Sequence, residues 1–305
     1  MQVLCFDIGG TDIKYGVVKD GKIVCKYSMK TDASTKESIT KQLVDATKKI
    51  LDEYDIKGVG VSCAGCINYE TGVVLIPSYS APNMEGLDLS DIFKKNFGLE
   101  CVADNDVNCF GLAESISGYG KSLNQFLMMT IGTGIGGAIV YYNQVWHGGA
   151  WCGGEFGKML LGSDSQCFEE IASTAALVRK CKEAGLKVDN GVEIFKLYDN
   201  GDPTANKIVS QFFHDLAWGI ANLVYIFDPE AIIIGGGISN RKSLSQEIYD
   251  EASKIVEPET FKNIKIVNSK HGNDGGMIGC SHKHQTYAHR HSFAEFSGNK
   301  TAGEQ

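Results

Sequence analysis

Basic residues are in the minority: 29 Lys and Arg stand against 37 Asp and Glu, for a net charge of −8. Without a basic stripe, nucleic acid is not an expected partner. ATP stays open, because phosphates are held by local amides, a metal and a few cations rather than by average charge. Long apolar runs are also missing. The most apolar segments are interrupted by Gly, Asp or Pro well short of the ~20 residues a membrane helix needs. The opening MQVLCFDIGGT has no basic segment leading into an apolar one, so a first strand is expected there rather than a signal peptide, and a cytoplasmic location follows. Cysteines are not clustered. The ten lie singly at 5, 25, 63, 66, 101, 109, 152, 167, 181 and 280, which fits small buried thiols in a reducing compartment. Cys63-Ala64-Gly65-Cys66 has redox spacing but lacks thioredoxin-like surroundings, so a redox role is not favoured.

What is present is the balance of a soluble globular protein: 305 residues, 43% hydrophobic and 22% charged, enough for one large domain or two packed lobes. Strands are expected at 2–8, 12–18 and 23–29, with Asp20-Gly21 as a hairpin turn. A helix at 35–53, a short buried strand at 58–62, a loop, a helix near 88–96, a strand at 100–103 and a helix at 106–117 follow. A strand, a Gly-rich turn and a second strand then recur at 126–131 and 135–141, as if a second half repeated the plan of the first. Helices are expected at 166–184, 190–199, 203–227 and 242–255, with strands at 231–234 and 264–267 and a last helix opening near Asp274. Such alternation implies an α/β fold with mixed sheets. The end of the chain differs, with His-rich HKHQTYAHRH followed by a polar stretch. A frayed end is the better reading there than a metal site.

Three glycine motifs carry the chemistry. In Asp7-Ile8-Gly9-Gly10-Thr11 paired glycines join two strands, so backbone N–H groups can approach a phosphate. Thr11 adds a hydroxyl, and Asp7 could hold Mg²⁺ through water. A purely structural turn explains this string equally well. Thr130-Ile131-Gly132-Thr133-Gly134-Ile135-Gly136-Gly137 is followed by a strand, not a helix, so it is not the dinucleotide fingerprint, and no Gly-Lys-Ser/Thr makes it a Walker A loop. Phosphate contact is favoured. Gly235-Gly236-Gly237, after the apolar AIIIG strand, could let a flat ligand lie on backbone or could simply open a helix. Asn105-Asp106-Val107-Asn108 sits between a strand and a helix. Asp106 could accept a proton during phosphoryl transfer, though locally an N-cap is the better reading.

Taken together, DIGGT at 7–11, NDVN at 105–108 with Glu114, TIGTGIGG at 130–137, GGEFG at 153–157 and DPEAIIIGGG at 228–237 resemble the ROK family of sugar kinases and related repressors, from Met1 to about Cys280. The resemblance implies an actin-like ATPase (ribonuclease H-like) α/β fold, two lobes with mixed sheets around a central cleft. It implies lobes at 1–118 and 119–272, a helix at 273–290 returning to the first, and a polar tail at 291–305. It makes Asp106 the catalytic base and gives Gly65, Asn83, Asn105, Asp106, Glu155 and Glu169 as sugar contacts. ATP would meet Asp7, Gly9, Gly10, Thr11, Lys14, Thr133, Gly134, Gly136, Gly236 and Gly237, with Mg²⁺ as cofactor.

One departure stands out. Zinc-carrying members have a His three residues after the sugar-binding Glu and then a cysteine-rich segment. Here Lys158 stands at the His position, Leu160 and Gly162 at the first two Cys positions, and Cys167 alone remains, so no structural zinc is expected. The expected activity is therefore ATP-dependent phosphorylation of the primary 6-hydroxyl of a hexose, N-acetylhexosamine or β-glucoside, by an enzyme resembling the β-glucoside and N-acetylmannosamine kinases. Glucokinase or fructokinase activity is the alternative within the family, and a non-catalytic sugar-binding regulator the alternative outside it. A first strand at residue 2 leaves no room for the helix-turn-helix domain that such regulators carry at the N-terminus. Small-molecule sugar, ATP and a second copy in a homodimer are the expected partners, with no membrane.

Overall fold

Leu4, Phe6 and Ile8 alternate with Val3 and Cys5, all buried, so the first strand is covered on both faces. This is β1 (Gln2–Ile8), which forms an antiparallel meander with β2 (Asp12–Lys19) and β3 (Lys22–Lys30). Asp20 and Gly21 take φ of 50° and 74°, the left-handed pair a two-residue hairpin requires. The chain then runs through α1 (Lys36–Leu51), β4 (Val59–Cys63), the hairpin β5 (Gly65–Asn68) and β6 (Val73–Pro77), α2 (Leu89–Phe97), β7 (Cys101–Asn105) and α3 (Asp106–Ser117). The computed structural model describes residues 1–161 and 165–284. Gly162, the rest of the His-rich segment and the 291–305 tail lie outside them.

The first sheet has the order β3-β2-β1-β4-β7, with β4 parallel to both β1 and β7. Thr35 caps α1 through a reciprocal pair of bonds with Ser38. Ile39, Leu43, Ala46 and Ile50 then line one face of α1 and join Leu4, Phe6, Ile92 and Phe93 in a core on one side of the sheet. On the other side Val3, Cys5 and Val18 pack with Cys109 of α3 and with Met277 and Cys280 of a helix over residues 275–284. By its contacts this unit comprises Met1–Ala113, Gly148–Cys152 and the described residues from Asp274 onward.

The second unit comprises Glu114–His147 and Gly153–Asn273. Its strands are β8 (Gln125–Ile131), β9 (Ile135–Tyr141) and β10 (Gln144–Val145), followed by α4 (Phe168–Ala172), α5 (Thr174–Glu183), α6 (Gly191–Asp199) and α7 (Pro203–Phe227). After these come β11 (Ala231–Gly235), α8 (Leu244–Ala252), α9 (Pro258–Phe261) and β12 (Lys265–Asn268). The sheet order is β10-β9-β8-β11-β12, again an antiparallel meander extended by two parallel strands. Phe168, Phe212, Leu216 and Ile220 build its core against Ile232 and Ile234.

Two local expectations are corrected. The stretch after Cys63 is the β5–β6 hairpin and not a loop; Asn68 organises its turn by accepting from the Glu70 and Thr71 N–H groups. The helix expected over 166–184 is broken at Ser173, whose extended backbone (ψ 162°) lets its hydroxyl accept from Ala176 N and cap α5. Among the described residues no helix is long and apolar enough to cross a membrane.

Candidate active site

In the first unit the C-terminal ends of β1, β4 and β7 carry two rows in register, Asp7–Ser62–Asp104 and Ile8–Cys63–Asn105. Asp7 Oδ2 pairs with Lys14 at 3.2 Å across the β1–β2 hairpin, and Asp7 Oδ1 accepts from the Ser62 hydroxyl at 2.7 Å. A side chain at Gly276 would fall 2.6 Å from that same carboxylate oxygen, so the glycine keeps the space around Asp7 clear. Gly9 and Gly10 form the turn, closed by Gly9 N donating to Asp12 O at 3.1 Å. At Gly10 any Cβ would strike Ser80 at 1.8 Å. Thr11, at the exposed tip, accepts through its carbonyl from Thr31 N at 3.0 Å.

The strand-to-helix switch shows which residue caps α3. Asn105 Oδ1 accepts from Val107 N at 2.8 Å and Asn108 N at 3.1 Å. Asn105, not Asp106, therefore caps α3, and Asp106 is its first helical residue. The Asn105 amide donates to Gly65 O and to Asp106 Oδ1, each at 3.0 Å, which ties three of the expected site residues into one cluster. Gly65 takes φ of 112°, and its missing Cβ leaves room for Ile76 O, so no other residue fits there. Burial first, then the charges of Asp106 and Asp7, push the Cys63 thiol far above its ordinary range. A buried thiol held protonated is a poor nucleophile, which argues against a redox role for the Cys63–Cys66 spacing. Asn83 stands in a short turn over Pro82–Met84, with its amide donating to Ser34 O at 2.8 Å and Ala33 O at 3.2 Å.

Below this cluster Asp104 is buried and pairs with Lys283 at 2.5 Å, while the Asn108 amide donates to its other oxygen at 3.0 Å. The ammonium also lies 4.6 Å from the Tyr69 ring centre.

In the second unit the turn between β8 and β9 is closed by Gly132 N donating to Gly134 O at 2.9 Å, which places Thr133 at the tip. Gly136 pairs with Thr130 inside the hairpin. Gly236 adopts φ of 86°, and a Cβ there would lie 2.4 Å from Ile131 O, so this glycine lets the end of β11 pass beside the turn. Thr133 and Gly237 both line one cavity of about 1030 Å³, together with Thr174, Phe195, Asn240 and Arg241. Arg241 is fixed in its wall by both oxygens of Glu247 (2.6 and 2.7 Å) and of Asp199 (2.8 and 2.9 Å), and its guanidinium lies 4.6 Å from the Phe195 ring centre.

Glu169, in the first turn of α4, lies against the same Gly-rich turn. Its Oε2 accepts from Ile135 N at 3.3 Å, and Cβ atoms at Gly134 and Gly157 would meet that oxygen at 2.5 and 3.0 Å. Lys158 donates to its Oε1 at 2.5 Å. Glu155 precedes the short helical turn Phe156–Lys158 and accepts through its carbonyl from Lys158 N at 3.0 Å. Glu114 serves the fold. Fully buried, it accepts from the N–H groups of Tyr119, Lys270 and His271. Sequence reasoning missed Ser62, Gly276, Thr174, Asn240 and Arg241, whose place depends on which elements the fold brings together. Gly275-Gly276 after Asp274 was the one local signal.

Asp7 offers a hard oxygen at a strand end, which suits Mg²⁺ arriving with phosphates and water. Among the described residues no group of three or more His, Cys, Asp or Glu could by itself hold a metal.

Two sheets of identical strand order, each opening in a glycine hairpin, define the actin-like ATPase fold. The chain belongs to the ROK family, whose pattern matches residues 3–285. It is similar to the β-glucoside kinase of Listeria innocua, 31% identical over 301 residues that span 95% of this chain and 100% of the relative. Among solved structures it resembles a candidate N-acetylmannosamine kinase from Listeria monocytogenes, with a TM-score of 0.82 and 30% identity over 92% of this chain and 97% of the other. A ROK family glucokinase from Streptomyces griseus in complex with glucose and AMPPNP superposes with a TM-score of 0.80 at 26% identity, covering 92% of this chain and 98% of that one.

Proposed function

We propose that the chain is an ATP-dependent sugar kinase that phosphorylates the primary 6-hydroxyl of a β-glucoside. The observation that carries the nucleotide half is the cavity that Thr133 of the Gly-rich turn and Gly237 of the glycine run line together. Backbone N–H groups of the turn suit phosphates, and the walls around Phe195 and Arg241 suit a planar base. Gly9, Gly10, Thr11, Lys14, Gly134, Gly136 and Gly236 complete the ATP ligands. Asp7 would hold, through water, the Mg²⁺ that accompanies ATP, and the ion would supply charge shielding for the transferred phosphoryl group.

Asp106 is the base. With Asn105 capping the helix and donating to Asp106 Oδ1, the carboxylate is oriented without being consumed as a cap. It takes the proton of the sugar hydroxyl as that oxygen attacks the γ-phosphorus and ADP leaves. Asn83, Asn105, the Gly65 backbone, Glu155 and Glu169 hold the remaining hydroxyls, since amides and carboxylates match the paired donors and acceptors of a sugar. Residues 1–118 with the helix from 273 carry the base, and residues 119–272 the nucleotide. The enzyme works in the cytoplasm as a homodimer.

β-Glucosides stand first because three β-glucoside kinases, at 30–31% identity, align over 94–95% of this chain. The likeness to the candidate N-acetylmannosamine kinase favours that amino sugar as the second acceptor. A coupled assay of ADP release with Mg-ATP and cellobiose, glucose, N-acetylmannosamine or N-acetylglucosamine tests the proposal. Turnover fastest on cellobiose is expected. Turnover confined to N-acetylmannosamine would replace the acceptor, and none on any sugar would overturn the reading.

A further inference from the structure

Lys158 and Glu169 are eleven residues apart, yet their side chains meet at 2.5 Å. The backbone between them brings this about. Met159 N donates to Phe156 O, closing the short turn that ends at Lys158, and Phe168 N donates to Met159 O at 2.8 Å. Leu160 and Cys167 form an antiparallel bridge, and Leu161 N donates to Gln166 O at 3.0 Å. Residues 159–161 and 166–168 are thus paired, and the pairing sets Lys158 beside the first turn of α4. Glu169 is held from two directions. The ammonium takes Oε1, and Ile135 N–H takes Oε2 in the hollow left by Gly134 and Gly157. Lys158 is 46% exposed and Glu169 only 22%, so the carboxylate is the sheltered member and the cation its outer clamp.

We infer that Lys158 is a positioning residue that fixes the Glu169 carboxylate for the acceptor sugar while Glu169 stays joined to the phosphate-binding turn. This rests on the reading of Glu169 as an acceptor ligand. A carboxylate with one oxygen on a backbone N–H and the other on an ammonium cannot rotate freely, and its remaining lone pairs point in set directions. Without the ammonium the group keeps one weak 3.3 Å bond and turns toward water. The loss should fall on acceptor binding, not on nucleotide binding or on the proton transfer at Asp106.

The test measures kcat, both KM values and calorimetric AMPPNP affinity for the full chain and its Lys158→Met, Lys158→Arg, Glu169→Gln and Lys158→Met/Glu169→Gln variants, with cellobiose and N-acetylmannosamine as acceptors. Lys158→Met should raise the acceptor KM by about 10- to 100-fold, the range that loss of one charge-assisted hydrogen bond gives. Its kcat and AMPPNP affinity should move far less. Lys158→Arg should recover most of the acceptor KM, and the double variant should be hardly worse than Glu169→Gln, because both lesions act on one carboxylate. An unchanged acceptor KM in Lys158→Met, or additive single and double effects, would overturn the inference while leaving the kinase reading intact. A parallel fall in AMPPNP affinity would show a structural role and overturn it too. A wild-type chain that neither binds nor phosphorylates these sugars would overturn both.

Discussion

Capping and proton transfer call on the same residue types, and at the start of α3 the cap falls to Asn105 while Asp106 is the proposed base. Asn105 gives its side-chain oxygen to two helix N–H groups, while Asp106 keeps a carboxylate that Asn105 orients. The sequence NDVN could not reveal that division, because Asn and Asp are about equally good caps. Asp106→Asn preserves the shape and removes the basicity. Turnover should fall by about 10²- to 10⁴-fold, the usual contribution of a positioned base, while AMPPNP binding measured by calorimetry stays within a factor of two or so. Turnover close to wild type would remove Asp106 from the reaction. A second residue-scale prediction concerns Gly134. Its Cβ would lie 2.5 Å from Glu169 Oε2, so Gly134→Ala must displace the carboxylate. The acceptor KM should rise about tenfold, as for one lost hydrogen bond, and steady-state kinetics at saturating ATP would show it.

At the scale of elements, periodicity made most helices and strands legible, since buried residues recur at helical spacing in α1 and the apolar strands end at glycine. The β5–β6 hairpin and the break at Ser173 were not legible, because a short hairpin and one extended serine leave no periodic trace. Equally hidden was why α7 carries Gly219 in mid-helix. A Cβ at 219 would lie 2.2 Å from the ring of Phe168, which is fully buried and precedes Glu169. Gly219→Ala would gain about 1 kcal/mol of helix propensity, but overpacking a core costs roughly 1–3 kcal/mol. The clash should win, because the ring has nowhere to go. Thermal unfolding should shift down by a few degrees, with a higher acceptor KM as Phe168 moves; a rise in melting temperature would refute the packing argument. The helix over 275–284 rests on a different anchor. Lys283→Met leaves Asp104 charged and buried without its cation, a lesion that typically costs about 3–5 kcal/mol. Adding Asp104→Asn should restore part of the loss in chemical denaturation.

Across the whole molecule, the repeated strand–glycine turn–strand pattern was the faint signal of a larger regularity, two sheets with the same strand order. The motifs supplied candidate residues, but not that Thr133 and Gly237, about a hundred residues apart in sequence, line one cavity with Arg241. Such meetings follow from topology and have no local signature. Stability against pH is also a property of the whole chain, and here its sign can be derived. Burial lowers the pKa of His282 and of His284, with Glu100 partly opposing it at His284. The folded chain therefore keeps both imidazoles neutral at a pH where the unfolded chain, titrating near 6.5, already binds protons. Below that value the unfolded state holds more protons, so stability falls as pH falls. The carboxylates act lower. Hydrogen bonds from Arg241 depress the pKa of Asp199, and the salt-bridged Asp189 is depressed by Lys182, so their contributions are lost only as pH drops below the ordinary carboxylate range near 4. The two windows are separate. Melting temperature should decline from about pH 7 to pH 5.5 through the histidines alone, and His284→Gln, which cannot titrate, should flatten that decline. An unchanged slope in the variant would mean that His284 is as free to take a proton in the folded chain as in the unfolded one, against its burial beside Gly58.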